Sequence, residues 1–153
     1  MDIIWHDLHH SELNVAQLYQ LLAMRNAVFI VEQQCPYLDI DGADLIGENR
    51  HLLGILDNQL VACARILMPQ GEGQPVKIGR VIVSGEARGL NLGSRLMEQA
   101  MNSCERHWPG QPIFLSAQAH LHRFYARLGF VAVSGEYLED DIPHIDMQRS
   151  LEQ

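Results

Sequence analysis

The sequence has few cysteines and no long apolar run. Its cysteines, Cys35, Cys63 and Cys104, are odd in number and widely spaced, which argues against a disulfide framework and for reduced thiols. No apolar stretch reaches the length needed to cross a membrane. The first residues lack the basic and apolar regions of a secretory signal. We therefore expect a cytoplasmic protein without a membrane partner.

Basic residues are also scarce, with 11 Lys and Arg against 19 Asp and Glu and a formal net charge of -8. Nucleic-acid binding proteins normally carry a clustered excess of basic residues, because the phosphodiester backbone repels an acidic surface. The sequence therefore predicts no nucleic-acid partner. The same charge modestly favours cationic small molecules such as amines.

Several organisational and catalytic signatures are missing. No linker rich in Pro, Gly or Ser divides the 153 residues and no segment repeats, which predicts one domain over residues 1–153. The Walker lysine, the dinucleotide fingerprint and the Gly-x-Ser-x-Gly elbow do not occur. The pairs His9-His10 and His120-x-His122 lack further ligands at a zinc-site spacing, so no metal is predicted.

Apolar patterning predicts an α/β fold with a mixed sheet of about seven strands and helices on both faces. A capping-box start at Asn14 and Gln17 opens the first helix. The strands are predicted at 3–6, 51–56, 60–67, 76–83, 113–117, 130–137 and 142–150, the helices at 14–28, 92–107 and 120–128, and a loop at 34–50. Strand 76–83, helix 92–107 and strand 113–117 form a βαβ unit, whose two strands should be parallel.

The turn between strand 76–83 and the next helix has the features of an anion site. Free amides at a helix start attract anions, and Gly89 and Gly93 permit close approach of the backbone to a ligand. Asn91 tolerates left-handed geometry, and Arg88 adds a charge and a fork of donors. A diphosphate fits this chemistry, although these residues alone do not exclude an ordinary turn.

Two motifs resemble the GNAT superfamily of N-acetyltransferases. Arg88-x-x-Asn91-x-Gly93 is similar to its (Gln or Arg)-x-x-Gly-x-(Gly or Ala) loop, and Phe124-Tyr125 with Gly129-Phe130 to its Phe-Tyr-x-x-x-Gly-Phe motif. Asn91 departs from the usual glycine, which a positive φ would accommodate. Segments 25–33, 35–37, 39–42 and 142–145 resemble the ElaA subgroup of that superfamily.

The resemblance implies a mostly antiparallel sheet with one central parallel pair, and acetyl-CoA as the acyl donor. The pantetheine would lie between the two parallel strands, and the amide near Val83 would polarise the thioester carbonyl. Tyr125 would act as general acid toward the departing thiolate while a primary amine attacks directly. The implied cofactor-binding residues are Val81, Ile82, Val83, Arg88, Gly89, Leu90, Asn91, Leu92, Gly93 and Ser94.

A general base is less evident from the sequence. The candidates are Glu32, Asp41, His51 and His144, each of which could equally be a structural carboxylate or a hydrogen-bonded structural histidine. The acidic segment 39–48 is where we expect the acceptor, which is a small-molecule or protein amine. A homodimer partner is left open, with segment 140–144 as one interface to consider.

Two alternatives stay open. An acyl-homoserine-lactone-type synthase would share the Arg-x-x-Val-Phe pattern of Arg25 to Phe29, but should lack the phosphate loop. A non-catalytic CoA-binding module would bind the donor without chemistry, although the retained Tyr125 argues against it.

Overall fold

A computed structural model describes residues 2–85 and 91–150, in which eight strands form one sheet. Its order is β1-β2-β3-β4-β5-β8-β6, with β7 also paired to β8. The strands are β1 (Ile4–His9), β2 (Arg50–Leu56), β3 (Gln59–Leu67), β4 (Val76–Val83), β5 (Ile113–Gln118), β6 (Val131–Ala132), β7 (Tyr137–Glu139) and β8 (Ile142–Arg149). The helices are α1 (Val15–Arg25), α2 (Leu92–His107) and α3 (His122–Arg127), with a π-helix at Asn26–Glu32 and 3₁₀ turns at His10–Glu12 and Ala119–Leu121.

The sheet is antiparallel except between β4 and β5 in the part that the structure describes. These two strands are paired only at Val76 with Ile113 and Lys77 with Phe114. Beyond this short register they separate and leave an opening in the middle of the sheet. The mostly antiparallel mixed sheet with one central parallel pair is therefore confirmed, with eight strands in place of about seven.

A β-bulge in β4 accompanies this separation. Cys63 and Arg65 of β3 pair with Ile82 and Gly79, so two residues of β4 stand opposite one residue of β3. One of the two, Arg80, has a φ of 51°, which is left-handed geometry. Since a bulge bends its strand and increases the local twist, it favours the divergence of β4 from β5.

Helices cover both faces of the sheet. Leu96 of α2 shares a buried cluster with Ala62 and Ala64, whereas Leu21 of α1 packs with Cys63 on the other face. Successive side chains of a strand point to opposite faces, so β3 packs against a helix on each face of the sheet. The predicted two-sided arrangement is confirmed.

The first helix begins as predicted but ends differently. The Asn14 side chain accepts the Gln17 amide at 2.7 Å, and the Gln17 side chain accepts the Asn14 amide at 2.9 Å, which confirms the capping box. After Arg25 the chain continues as a π-helix rather than as the predicted α-helix. Its wider turns direct Val28 and Glu32 toward the opening between β4 and β5.

The C-terminal strands also differ from the prediction. The expected strand 130–137 is two short strands, β6 and β7, separated by bends around Ser134 and Gly135. Both pair with β8, as predicted for the closing antiparallel strands. The other edge of β8 pairs with β5 over six residues, so β8 lies inside the sheet. No helix in the described ranges is both long and apolar enough to span a membrane.

Candidate active site

A cleft of about 860 Å³ occupies the opening between β4 and β5. Backbone and side chains of both strands form its walls, the start of α2 and the middle of α3 close one side, and the π-helix and the β7–β8 hairpin close the other. The residues that line it include Glu32, Gln33, Cys35, Arg80, Val81, Ile82, Val83, Asn91, Gly93, Ser94, Gln118, Phe124, Tyr125, Glu139, Asp140 and His144.

The β4 wall presents backbone groups to the cleft. The Ser84 amide donates to the Val61 carbonyl at 2.7 Å, across the edge that β4 shares with β3. Because amide directions alternate along a strand, the amides of Val81 and Val83 face the opposite edge, toward the cleft. The three predicted β4 positions, Val81, Ile82 and Val83, all line it.

The start of α2 has the geometry expected of an anion site. Asn91 precedes the helix with φ 57° and ψ 30°, the left-handed conformation that its place in the motif requires. The Asn91 side chain does not cap this end, so within the described residues the first amides of this 16-residue helix have no capping side chain. A Cβ added at Gly93 would lie 3.4 Å from Phe124, which makes this junction tight.

The predicted phosphate residues are only partly described. Asn91, Gly93 and Ser94 line the cleft. The Leu92 side chain instead packs with Ile3 and Val61 in a separate apolar cluster, which leaves only its backbone for a ligand. Arg88, Gly89 and Leu90 lie outside the described residues.

Tyr125 lines the cleft and is 5% exposed. Its ring makes edge contacts with Phe124, at 5.0 Å between centroids, and with Phe130 at 6.1 Å. Burial raises the pKa of the Tyr125 phenol to about 12. Among the described residues its hydroxyl has no hydrogen-bond partner. It is therefore a protonated donor at neutral pH, in a cleft with space for an acceptor.

His144 presents a ring nitrogen with a defined role. Its Nδ1 lies 2.7 Å from the Ile142 carbonyl, which can only accept, so Nδ1 carries the proton. The neutral ring then has its lone pair on Nε2. The ring stacks on Tyr137 with centroids 6.1 Å apart, and the residue lines the cleft. This tautomer can accept a proton from a bound molecule.

Glu32 also lines the cleft, from the last turn of the π-helix. The next residue, Gln33, accepts a weak hydrogen bond of 3.4 Å from Gln118 at the end of β5. The π-helix is thereby tied to the far wall, and the Glu32 carboxylate remains a second candidate for the base.

The other two base candidates lie away from the cleft. Burial would raise the pKa of Asp41, but hydrogen bonds from Arg65 and the Ala43 amide, with the charges of Arg65 and Arg80, outweigh it and lower that pKa to about 2. His51 is fully buried, its Nε2 donates to the Asp44 carbonyl at 2.9 Å, and burial lowers its pKa. Asp41 and His51 are therefore structural residues, and we do not retain them as bases.

The acidic loop 34–49 is held by three arginines from other elements. Arg25, 1% exposed, donates to Asp39 at 2.9 Å and to Asp44 at 2.7 Å. Arg65 adds a 3.2 Å bond to Asp44. Arg80 Nε lies 2.8 Å from Asp39, at an angle that makes the contact an ion pair rather than a hydrogen bond. We call Arg25, Arg65, Arg80, Asp39, Asp41 and Asp44 the charge cluster.

The charge cluster corrects one expectation. The sequence placed the acceptor at acidic segment 39–48, but its three aspartates are bound to arginines of the protein itself. They hold a long loop against the sheet, and their charge is compensated there. Among the described residues, the acidic ones that line the cleft are Glu32, Glu139 and Asp140.

Sequence analysis assigned no catalytic or binding role to Gln33, Gln118 or Glu139, and it considered Asp140 only as part of a dimer interface. The one available signal was Asp140-Asp141 between two apolar runs, which is typical of a tight hairpin turn. Cys35, in contrast, is buried and its thiol donates to the Asp140 carbonyl at 3.5 Å. Burial and the nearby Asp140 and Asp141 raise its pKa, which agrees with an unreactive thiol.

Metal binding has no evident place in the described ranges, where no three His, Cys, Asp or Glu side chains are grouped closely enough to hold an ion.

Comparison with known proteins agrees with this geometry. A family model described as acetyltransferase (GNAT) domain matches residues 23–151. The chain is 56% identical to the ElaA protein of Escherichia coli strain K12 over 149 residues, 97% of each chain. The crystal structure of E. coli ElaA covers 97% of this chain and 100% of its own with a TM-score of 0.94 and 55% identity.

Two further solved structures extend the comparison. An acyl-CoA N-acyltransferase from Pseudomonas aeruginosa is 51% identical, with a TM-score of 0.93, covering 97% of this chain and 100% of its own. An aminoglycoside 6'-N-acetyltransferase complexed with coenzyme A, only 15% identical, shares the fold with a TM-score of 0.72 over 97% of this chain and 98% of its own. The family match over residues 23–151 and the 56% identity to ElaA show that the chain belongs to the GNAT acetyltransferase family and is an acyltransferase.

Proposed function

We propose that this protein transfers the acetyl group of acetyl-CoA to a primary amine, which attacks the thioester directly. The observation that carries the proposal is the position of Tyr125, a buried residue that lines the cleft between the diverging β4 and β5 together with the start of α2. A proton donor, an anion site and an extended slot between two strands thus lie along one cleft.

The residues that line the cleft are suited to binding acetyl-CoA, the proposed acyl donor. The β4 edge can pair with an extended chain in the opening, and the amides at the start of α2, which the Asn91 side chain does not cap, can donate hydrogen bonds to a diphosphate. Acetyl-CoA, when bound, supplies the activated thioester. The fold shared with an acetyltransferase complexed with coenzyme A supports the same donor here.

Tyr125 serves as general acid toward the departing sulfur. Its pKa of about 12 keeps the phenol protonated at neutral pH. A thiol in water has a pKa of about 8.5 and is therefore the stronger acid. Burial raises the pKa of a thiol as well, so a thiolate released in the cleft takes up a proton more readily than it would in water. The hydroxyl stabilises charge that develops on the sulfur and then donates its proton.

His144 is our first choice for the group that removes the amine proton. Its Nε2 carries the lone pair because Nδ1 donates to the Ile142 carbonyl, and the residue lines the same cleft as Tyr125. Glu32, from the π-helix that closes the same side of the cleft, is the second candidate.

Replacement of Tyr125 by Phe tests the chemistry. The substitution removes the hydroxyl but keeps the ring and its contacts with Phe124 and Phe130. We expect kcat for thiol release from acetyl-CoA to fall about 100-fold or more, with little change in KM for acetyl-CoA or in thermal stability. The matched control is Tyr19→Phe, at a position 76% exposed and outside the cleft, which should retain wild-type kinetics.

Other outcomes would redirect the proposal. Wild-type kcat in Tyr125→Phe would exclude the general-acid role. Binding of CoA without thiol release for any amine of a broad panel would instead favour the non-catalytic module. A preference for an acylated carrier protein over acetyl-CoA would favour the synthase alternative.

A further inference from the structure

We propose that Arg80 is a positioning residue for acyl transfer. Its side chain is anchored in loop 34–49 and holds β4 in the bulged conformation that directs the Val81 amide to the cleft. The inference rests on the proposed function and adds to it a residue that acts through the backbone of β4. Loop 34–49 thereby supports the geometry of the site.

The β4 bulge carries a side chain where this kind of bulge usually has none. Arg80 and Val81 lie between the paired residues Gly79 and Ile82, whereas Ala64 alone lies between their partners on β3. The φ of Arg80 is 51°. A bulge whose first residue is left-handed normally has glycine there, because a Cβ disfavours this conformation. Such a residue persists only where its surroundings hold it.

The contacts that hold Arg80 come from loop 34–49. Its Nη2 donates to the Asp39 carbonyl at 3.0 Å and to the Asp41 carboxylate at 3.3 Å. Its Nε forms a 2.8 Å ion pair with the Asp39 carboxylate. The guanidinium also stands over the Tyr37 ring, 5.6 Å from the centroid. A side chain fixed at its far end restricts the backbone from which it starts.

The loop partners are fixed in turn. The Tyr37 hydroxyl donates to one oxygen of the Asp39 carboxylate at 2.8 Å, and Arg25 donates to the other at 2.9 Å. Arg65 donates to both oxygens of Asp41, at 2.9 Å and 3.1 Å. The loop is therefore a firm anchor for the bulge, built from residues of α1 and β3 as well as its own.

The bulge determines which backbone groups of β4 reach the cleft. Amide directions alternate along a strand, and one extra residue shifts that alternation from the bulge onward. The residues after it, Val81, Ile82 and Val83, line the cleft. A change of backbone conformation at position 80 would therefore redirect the groups proposed to contact the thioester and the pantetheine.

Two substitutions at position 80 separate the side chain from the backbone. Arg80→Ala and Arg80→Gly both remove the ion pairs and the ring contact, but only glycine adopts the left-handed conformation without cost. We expect kcat/KM for acetyl-CoA to fall about tenfold in Arg80→Ala, the equivalent of the usual left-handed penalty. In Arg80→Gly it should stay within about threefold of wild type, because the backbone conformation is restored.

Asp57 provides the matched control. It has the same φ of 51°, but it lies in the exposed turn between β2 and β3 and does not line the cleft. Asp57→Ala and Asp57→Gly should differ from each other in stability to urea, as the two Arg80 variants do. Both should keep wild-type kcat/KM, so a change in stability alone cannot imitate the expected result.

Asp41→Asn tests the anchor from the loop side without altering β4. We expect it to lower kcat/KM about twofold in the wild-type background. In Arg80→Gly, where the contact with Arg80 no longer exists, it should have no further effect. Equal effects in the two backgrounds would overturn the inference, including in the case that Arg80→Ala does not fold.

The amide resonances of Val81, Ile82 and Val83, followed by heteronuclear NMR, give a readout that needs no catalysis. They should be displaced further in Arg80→Ala than in Arg80→Gly. Equal losses of kcat/KM in the two variants would mean that the Arg80 side chain contacts the substrate, and wild-type kcat/KM in both would mean a purely structural residue. Either result overturns the inference. Absence of thiol release in the wild type would overturn acetyl transfer instead, and the resonances would still decide the role of Arg80.

Discussion

Asp41 lies in an acidic stretch of the sequence, yet Arg65 and Arg80 from the sheet bind its carboxylate. Arg65 is 24 residues away and Arg80 is 39. Partners at such separations cannot be identified from composition or periodicity, so the segment was expected to meet the acceptor. Tyr125 was easier to find, because its role was assigned from a short local motif that the resemblance supplied.

The Asp41 carboxylate should make the unfolding free energy decrease at acidic pH. Its pKa is about 3.8 when unfolded and about 2 when folded. A depressed folded pKa contributes stability that is present above the unfolded value and is lost as the pH falls from about 4 to about 2. We expect Asp41→Asn to lower the unfolding free energy at pH 7 and to flatten its decrease over that acid interval.

Urea denaturation at a series of pH values measures this effect. The side chain is 35% exposed, so solvent screening reduces its size. Asp2→Asn, an exposed carboxylate at the start of the chain, is the control and should follow the wild-type curve. Parallel curves for wild type and Asp41→Asn would contradict a role for Asp41 in acid sensitivity.

The elements that the sequence predicted best are those with local signals. Strand β4 and helix α2 have the predicted bounds, because apolar periodicity defines α2 and Pro109-Gly110 ends it. The π-helix was missed, because local composition does not distinguish its i→i+5 backbone hydrogen bonds from the i→i+4 bonds of an α-helix. Strands β6 and β7 were predicted as one strand because strand-forming residues stand on both sides of Ser134 and Gly135. The bend there divides them in the structure.

Arg25 connects the end of α1 to the acidic loop, so its loss should affect a whole element. Arg25→Met keeps the side-chain length but leaves Asp39 and Asp44 without a principal partner. We expect the unfolding free energy to fall by about 3 kcal/mol, which is the lower end of the cost of removing one partner from a buried ion pair. The cost is at the lower end because Arg65 and Arg80 still contact these aspartates. Urea denaturation gives the value.

Two further variants make that measurement specific. Arg25→Lys should recover part of the stability, since it restores the charge but not the fork of donors. Arg106→Met is the surface control; Arg106 is 67% exposed and 3.7 Å from Asp7, and its loss should cost less than about 1 kcal/mol. Equal stability losses in Arg25→Met and Arg106→Met would show that the charge cluster does not hold the loop.

At the scale of the molecule, strand order could not be read from the sequence alone. Strand β8 lies between β5 and β6, which requires pairing between residues far apart in the chain. Local patterning predicts the strands but does not choose their neighbours. The parallel β4–β5 pair was predicted because a strand, a helix and a strand at that spacing form a right-handed crossover.

Coenzyme A should stabilise the whole fold if it fills the cleft. A ligand that binds only the folded state at 100 times its Kd adds about 2.7 kcal/mol to the unfolding free energy. We expect a rise of several degrees in the thermal midpoint, measured by fluorimetry against ligand concentration. Pantetheine, which lacks the diphosphate, should raise it less because it leaves the start of α2 unfilled. An unchanged midpoint at saturating coenzyme A would contradict the assignment of the cleft.

The short pairing of β4 with β5 has a mechanical consequence. Two register pairs join the half-sheet β1–β4 to the half-sheet β5–β8, and elsewhere the apolar core and a few single hydrogen bonds, such as Gln118 to Gln33, connect the two sides. Dispersion contacts are less directional than hydrogen bonds, so the angle between the half-sheets can change slightly without breaking the ladder. We expect the paired residues, Val76 with Ile113 and Lys77 with Phe114, to act as the hinge of such a change, and collective motions of this type occur in microseconds to milliseconds. Cleft width is therefore a property of the angle between the half-sheets.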